Sequence, residues 1–124
     1  MFIIDGGHNP QCIEALVVNI RDYLTDKKVI ALTGVLADKD YADMYKPVMQ
    51  YVQEFVCVTP PNPRKLEAAE LAKHLQSVGA KATACASIEE GVRTARALAG
   101  HDGVVLCFGS LYTIGSIKEA LDNL

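Results

Sequence analysis

The chain has 124 residues, half of them apolar, and carries 12 Lys and Arg against 15 Asp and Glu, for a formal charge of −3. That length supports one domain with one real hydrophobic core and no need of disulfides or metals as staples. With no face-long run of Lys or Arg, the footprint of sequence-independent nucleic-acid binding is missing. The longest apolar runs, such as Val104 to Phe108, are strand-sized, far below the roughly 20 residues that cross a bilayer, and with no basic n-region before an h-region and cleavage site, targeting to a membrane or for export is not expected.

In chain order, a β-like block at Phe2 to Ile4 runs into Asp5-Gly6-Gly7-His8-Asn9-Pro10. Asn9 before Pro10 is an N-cap followed by Pro at the first helical position. The helix it opens carries Ile13, Leu16, Val17, Ile20 and Leu24 on one stripe. A second strand is predicted at Val29 to Thr33, followed by Gly34 to Asp40. The helical segment from about Asp40 to Val52 contains Pro47, whose ring removes a backbone donor and should kink or split it. A third strand at Phe55 to Thr59 leads to Pro60, Pro61 and Pro63, predicted as one stiff extended loop ending at Arg64.

Ala68, Leu71, Ala72, Leu75 and Val78 then form the stripe of a third helix, stopped by Gly79. A fourth strand is predicted at Ala82 to Ala86, and Ser87 with Glu90 three residues on makes a capping box for a helix that Gly100 ends. The last strand, Val104 to Phe108, meets Gly109-Ser110-Leu111-Tyr112 and a final helix with Ile114, Ile117, Leu121 and Leu124 on its apolar face. Strands alternating with amphipathic helices predict an α/β fold. The expected form is a Rossmann-like three-layer sandwich: a mostly parallel sheet of five to six strands with helices on both faces.

Cys12, Cys57, Cys85 and Cys107 are widely spaced with no CxxC, so they read as buried free thiols and fit a reducing cytoplasm. No G-x-x-x-x-G-K-[ST] occurs, so the chain has no P-loop to cradle ATP phosphates, and no G-x-G-x-x-G marks a dinucleotide site.

In such a sheet, ligands bind at the carboxyl ends of the strands where strand order reverses. The polar and Gly-rich segments collect at those ends. In Asp5 to Pro10, two glycines allow close approach, Asp5 can accept from hydroxyls, His8 can donate or accept near neutral pH, and Asn9 caps a helix end that favours anions. The same residues also suit a plain strand-to-helix turn. Asp38, Lys39 and Asp40 read better as a cap with solvated neighbours than as a metal cluster. Ser110 is by default a helix cap, at a position where backbone donors can also face a carboxylate. Tyr112 suits packing as well as ligand contact, and His74 and His101 are assigned no function.

Four of these segments carry a resemblance. Ile3 to Pro10 resembles the Asp-Gly-Ala-His-Asn-Pro signature of folylpolyglutamate and dihydrofolate synthases, members of the Mur ligase superfamily, with Gly7 in place of Ala. Thr33 to Asp40 resembles their Gly-Val-Leu-x-Asp-Lys-Asp segment, Pro60 to Arg64 their Pro-x-x-Pro-Arg loop, and Phe108 to Tyr112 their Gly-Ser-Leu-Tyr segment. The resemblance implies a C-terminal domain of an ATP-dependent ligase, in which ATP phosphorylates a folate or dihydropteroate carboxylate and the glutamate amine attacks the acyl phosphate. It implies that Asp5 meets the ATP ribose, with Asn9 also a nucleotide-binding residue, that His8 lies near the phosphates and the incoming amine, and that Ser110 helps place glutamate together with Tyr112. Arg64 could grip a glutamate carboxylate as a bidentate fork, or be a solvated residue flanking a helix start.

The resemblance also implies that ATP and Mg²⁺ are bound mainly by a central P-loop domain against which this one packs. The chain, beginning directly before the Asp5 motif, is expected to be the C-terminal domain alone, inactive by itself. The alternative is a stand-alone Rossmann-like module for a nucleotide or small ligand, which measurable ATP or glutamate affinity would reveal. A receiver-like signalling domain is disfavoured, because Asp5 stands alone and the third strand runs into Thr59-Pro60-Pro61 rather than a phosphoacceptor Asp.

Overall fold

The computed structural model describes residues 2–4, 15, 17, 18, 20–22, 27–37 and 45–122. Among them, five strands form one sheet: β1 (Phe2–Ile4), β2 (Val29–Gly34), β3 (Glu54–Cys57), β4 (Ala82–Ala84) and β5 (Val104–Gly109). All neighbours are parallel, in the order β1-β5-β2-β3-β4. Helices α1 (Ala68–Ser77), α2 (Ile88–Ala99) and α3 (Leu111–Asp122) cover it, with a 3-10 turn at Lys46–Val48. Residues 15, 17, 18 and 20–22 are also helical. The expected α/β, Rossmann-like architecture is observed.

The two central strands explain why this sequence takes this order. β2 reads Val-Ile-Ala-Leu-Thr-Gly and β5 Val-Val-Leu-Cys-Phe-Gly, and every residue of both is buried. Such continuous apolar runs suit strands covered on both faces. Alternation along β2 sends Val29 and Ala31 to one core, with Ile20, Tyr45, Val48, Phe55, Leu71, Leu75 and Phe108. Ile30 and Leu32 go to the other, with Val92, Ala95, Ile114 and Ile117. α1 therefore lies on one face, and α2 and α3 on the opposite one. The segment after β2 packs on one face and the helix after β5 on the other, so the carboxyl ends of these two adjacent strands form the switch point at which such sheets bind ligands.

Local signals place the helix ends. The Ser87 hydroxyl accepts the Glu90 N–H at 3.1 Å, while the Glu90 carboxylate accepts the Ala86 N–H at 3.3 Å, one residue before the partner a strict capping box would use. α1 has no side-chain cap of its own. Instead Thr59, across the preceding loop, accepts the Ala68 N–H at 3.0 Å. Gly79 and Gly100 adopt the positive φ expected of helix stops, +94° and +71°.

Pro47 splits the second helical segment as expected: Tyr45 is helical, and the chain continues as the 3-10 turn Lys46–Val48 with the proline in it; residues 38–44 lie outside the described residues. Two expectations need correction. The Pro60 to Arg64 loop is a turn rather than extended: the Asn62 N–H donates to Pro60, the Lys65 N–H donates to Asn62, and the Asn62 side chain accepts the Arg64 N–H. That side-chain bond mimics a backbone turn and overrides the proline stiffness. Val78, expected on the buried stripe of α1, is 50% exposed. It is the C-cap, with φ −104° and ψ 15°, so it has left the helical path and no longer shares the face of Leu75.

Candidate functional site

The switch point is built around one residue pair. Gly34 and Gly109 end β2 and β5 in register with each other. A Cβ on Gly109 would collide with the Gly34 carbonyl and lie 3.0 Å from the Thr33 hydroxyl, and its φ of +120° disfavours any side chain. A Cβ on Gly34 would lie 2.5 Å from the Val58 carbonyl and 3.1 Å from the Thr113 hydroxyl. Glycine at both positions lets the start of α3 close directly onto the end of β2.

The closure is hydrogen-bonded. The Gly34 carbonyl accepts the Ser110 N–H at 2.8 Å and the Thr113 hydroxyl at 3.3 Å. The Ser110 hydroxyl in turn accepts the Tyr112 N–H at 3.1 Å, which is the cap geometry expected of it. That bond uses an acceptor lone pair, so the Ser110 O–H proton remains available to donate. Ser110 is 6% exposed and Tyr112 51%. The packing role open to Tyr112 is therefore not the one it takes.

Arg64 is exposed, on a loop strapped to the same edge. Its carbonyl accepts the Ala37 N–H at 2.7 Å, Leu36 and Lys65 form an antiparallel bridge, and the Leu66 N–H donates to Val35 at 3.0 Å. The segment 34–37 thus contacts both the Ser110 turn and the Arg64 loop. Asp5, His8 and Asn9 lie outside the described residues, as do Asp38, Lys39 and Asp40. Ile4, which precedes Asp5, is paired with Cys107 of β5.

At the end of β2, the Thr33 and Tyr45 hydroxyls share a 2.7 Å hydrogen bond in full burial. The Tyr45 ring sits 5.9 Å from Phe55, edge-on, and 5.7 Å from Phe108. Burial pushes the Tyr45 hydroxyl well above its ordinary range, against a smaller opposing effect of the Thr33 bond. Burial also pushes the Cys57 thiol up to about 12, helped by nearby Cys85, and Cys107 to about 12. These thiols are free and inert packing groups, and Cys12 lies outside the described residues. Sequence reasoning missed both the Gly34 carbonyl and Thr113. A Thr on the first turn of a helix reads as an ordinary packing residue.

The family model for the Mur ligase, glutamate ligase domain matches residues 1–111. The chain belongs to this family. Dihydrofolate synthase/folylpolyglutamate synthase of Haemophilus influenzae is 34% identical to this glutamate ligase domain over 97% of the chain and 28% of its own length. The structure of E. coli FolC in complex with DHPP and ADP superposes with a TM-score of 0.89 at 28% identity, over 98% of this chain and 28% of that one. A bifunctional folylpolyglutamate synthase/dihydrofolate synthase with Mn, AMPPNP and L-glutamate bound superposes with a TM-score of 0.82 at 33% identity, over 98% of this chain and 29% of that one. The chain spans somewhat more than a quarter of the length of the relatives it matches. Among the described residues no helix is long and apolar enough to cross a membrane.

Proposed function

We propose that this domain supplies the glutamate-facing wall of an ATP-dependent ligase that joins glutamate to a folate or dihydropteroate. The observation that carries this reading is the meeting of the Ser110 turn and the Arg64 loop on the carboxyl end of β2, in a glutamate ligase domain like those of structures holding ADP, AMPPNP and L-glutamate. The reaction transfers the γ-phosphate of ATP to the substrate carboxylate, releasing ADP. The glutamate amine then attacks the acyl carbon, phosphate leaves, and the nitrogen loses a proton.

Each residue has a chemical part in that sequence. Ser110 donates its free O–H proton to a glutamate carboxylate while its lone pair caps α3. Arg64 offers a planar fork that can take a carboxylate through two parallel bonds, and Tyr112 stands exposed on the first turn of α3. Asp5 meets the ATP ribose, Asn9 helps to hold the nucleotide, and His8 takes up the proton as the amide forms. Among the described residues no three His, Cys, Asp or Glu side chains gather as a metal site. ATP and Mg²⁺ belong mainly to a P-loop domain that packs against this edge. The buried free thiols suit a cytoplasmic setting.

The test is kinetic, in the full-length chain that carries the domain. Ser110→Ala should mainly raise KM for glutamate, because a contact made equally in ground and transition states affects binding. His8→Ala should lower kcat by about 10²-fold or more if it moves the proton. If both variants fold and keep parental kcat and KM for ATP, folate and glutamate, this edge is not the active-site wall. Stoichiometric Mg²⁺-dependent ATP binding by the domain alone would favour a stand-alone nucleotide module instead.

A further inference from the structure

We propose that Thr113 is a positioning residue for the incoming amino acid, its buried hydroxyl fixing the first turn of α3, and with it the Ser110 hydroxyl, against the carboxyl end of β2. The inference rests on the reading of Ser110 as a glutamate contact.

Thr113 is fully buried, and a buried hydroxyl is costly unless it is bonded. In a helix a Thr hydroxyl ordinarily bonds back to a carbonyl three or four residues earlier. Thr113 reaches instead to Gly34, 79 residues away in the chain. It shares that carbonyl with the Ser110 N–H. Two donors three residues apart on one turn, converging on one acceptor, fix the rotation of the turn as well as its distance from the strand. The rotation decides where the Ser110 O–H points.

The surrounding residues are consistent with a close approach made for this contact. Gly34 has no Cβ to stand 3.1 Å from the Thr113 hydroxyl, and Gly109 has none to push the Gly34 carbonyl away. A Val at position 113 would fill the same space. Only the hydroxyl distinguishes Thr, so its loss should be felt in geometry more than in packing.

Four variants of the full-length chain test this: T113V, T113S, S110A and the S110A/T113V double. T113V is expected to raise KM for glutamate by roughly 5- to 50-fold, since small misplacements of a binding group cost up to about 10²-fold, with kcat and KM for ATP within about twofold of parental. T113S, which keeps the hydroxyl, should restore the parental KM. The double variant should be no worse than S110A, because Thr113 acts through Ser110. Urea unfolding separates a purely structural role, which would lower stability and leave KM unmoved. If T113V does not fold, T113A reads the same quantity. A parental KM in folded T113V, alongside a raised KM in S110A, overturns the inference and leaves the proposed function standing. A parental KM in both removes the proposed function and the inference together.

Discussion

Replacing Gly109 with Ala tests whether the end of β5 is as tightly closed as its geometry implies. The residue holds φ +120°, where an L side chain is strained, at a cost on the order of 1–3 kcal/mol. The new methyl would also press on the Gly34 carbonyl and lie 3.0 Å from the Thr33 hydroxyl, and overpacking of this kind costs about 1–3 kcal/mol. Together these reach about 2–6 kcal/mol, a large fraction of the ~5–15 kcal/mol by which domains are usually stable. Gly115→Ala is the control. It lies in the exposed middle of α3, and an added methyl would meet nothing within 4 Å, so it should stabilise by about 0.5–1 kcal/mol. Urea unfolding followed by far-ultraviolet circular dichroism should move the G109A midpoint down by about 1–3 M and the G115A midpoint slightly up. A G109A midpoint equal to the parental one would refute the claimed closeness of the two strand ends.

Ser87→Ala should lower stability by about 1 kcal/mol, measured by the same unfolding curves, because it removes the acceptor for the Glu90 N–H; an unchanged midpoint would mean that water replaces the cap. Stability should fall on the alkaline side. The folded pKa values of Cys57 and Cys107, about 12, lie above the ordinary thiol value of 9.0, so their contribution is complete below pH 9 and lost as pH rises toward 12. Each can remove up to about 1.4 kcal/mol per pH unit in that window, and a flat unfolding midpoint between pH 9 and 11 would contradict their burial. For the same reason Cys57 and Cys107 should resist alkylation in the native chain at pH 8 and react once urea is added, which mass spectrometry of the labelled peptides decides.

Sequence periodicity finds the strands because β2 and β5, Thr33 apart, are apolar runs bounded by Gly and charge. Prolines and side-chain caps are less transparent. Pro60 to Arg64 reads as extended from its prolines alone, yet one Asn62 side-chain bond turns it back toward Ala37. α1 gives no local start signal because its cap, Thr59, sits nine residues before the amide it serves. At the site, Ser110 is legible through its motif and its place before a helix. The Gly34 carbonyl is not, since a backbone acceptor has no letter in the sequence. Thr113 is hidden for a related reason: its meaning depends on a partner 79 residues away.

The strand order also bears on how the chain comes into being. β5 lies between β1 and β2, and the Val29 to Gly34 run pairs with Val104 to Gly109, so the sheet is completed by its last strand. During synthesis, until that strand has left the ribosome, β1 lacks its only described strand neighbour and β2 presents one whole apolar edge unpaired. Such an edge is a template for wrong partners, and contacts this distant in sequence form slowly. Translation arrest or cleavage before Val104 therefore leaves a product prone to aggregate rather than a smaller version of the fold.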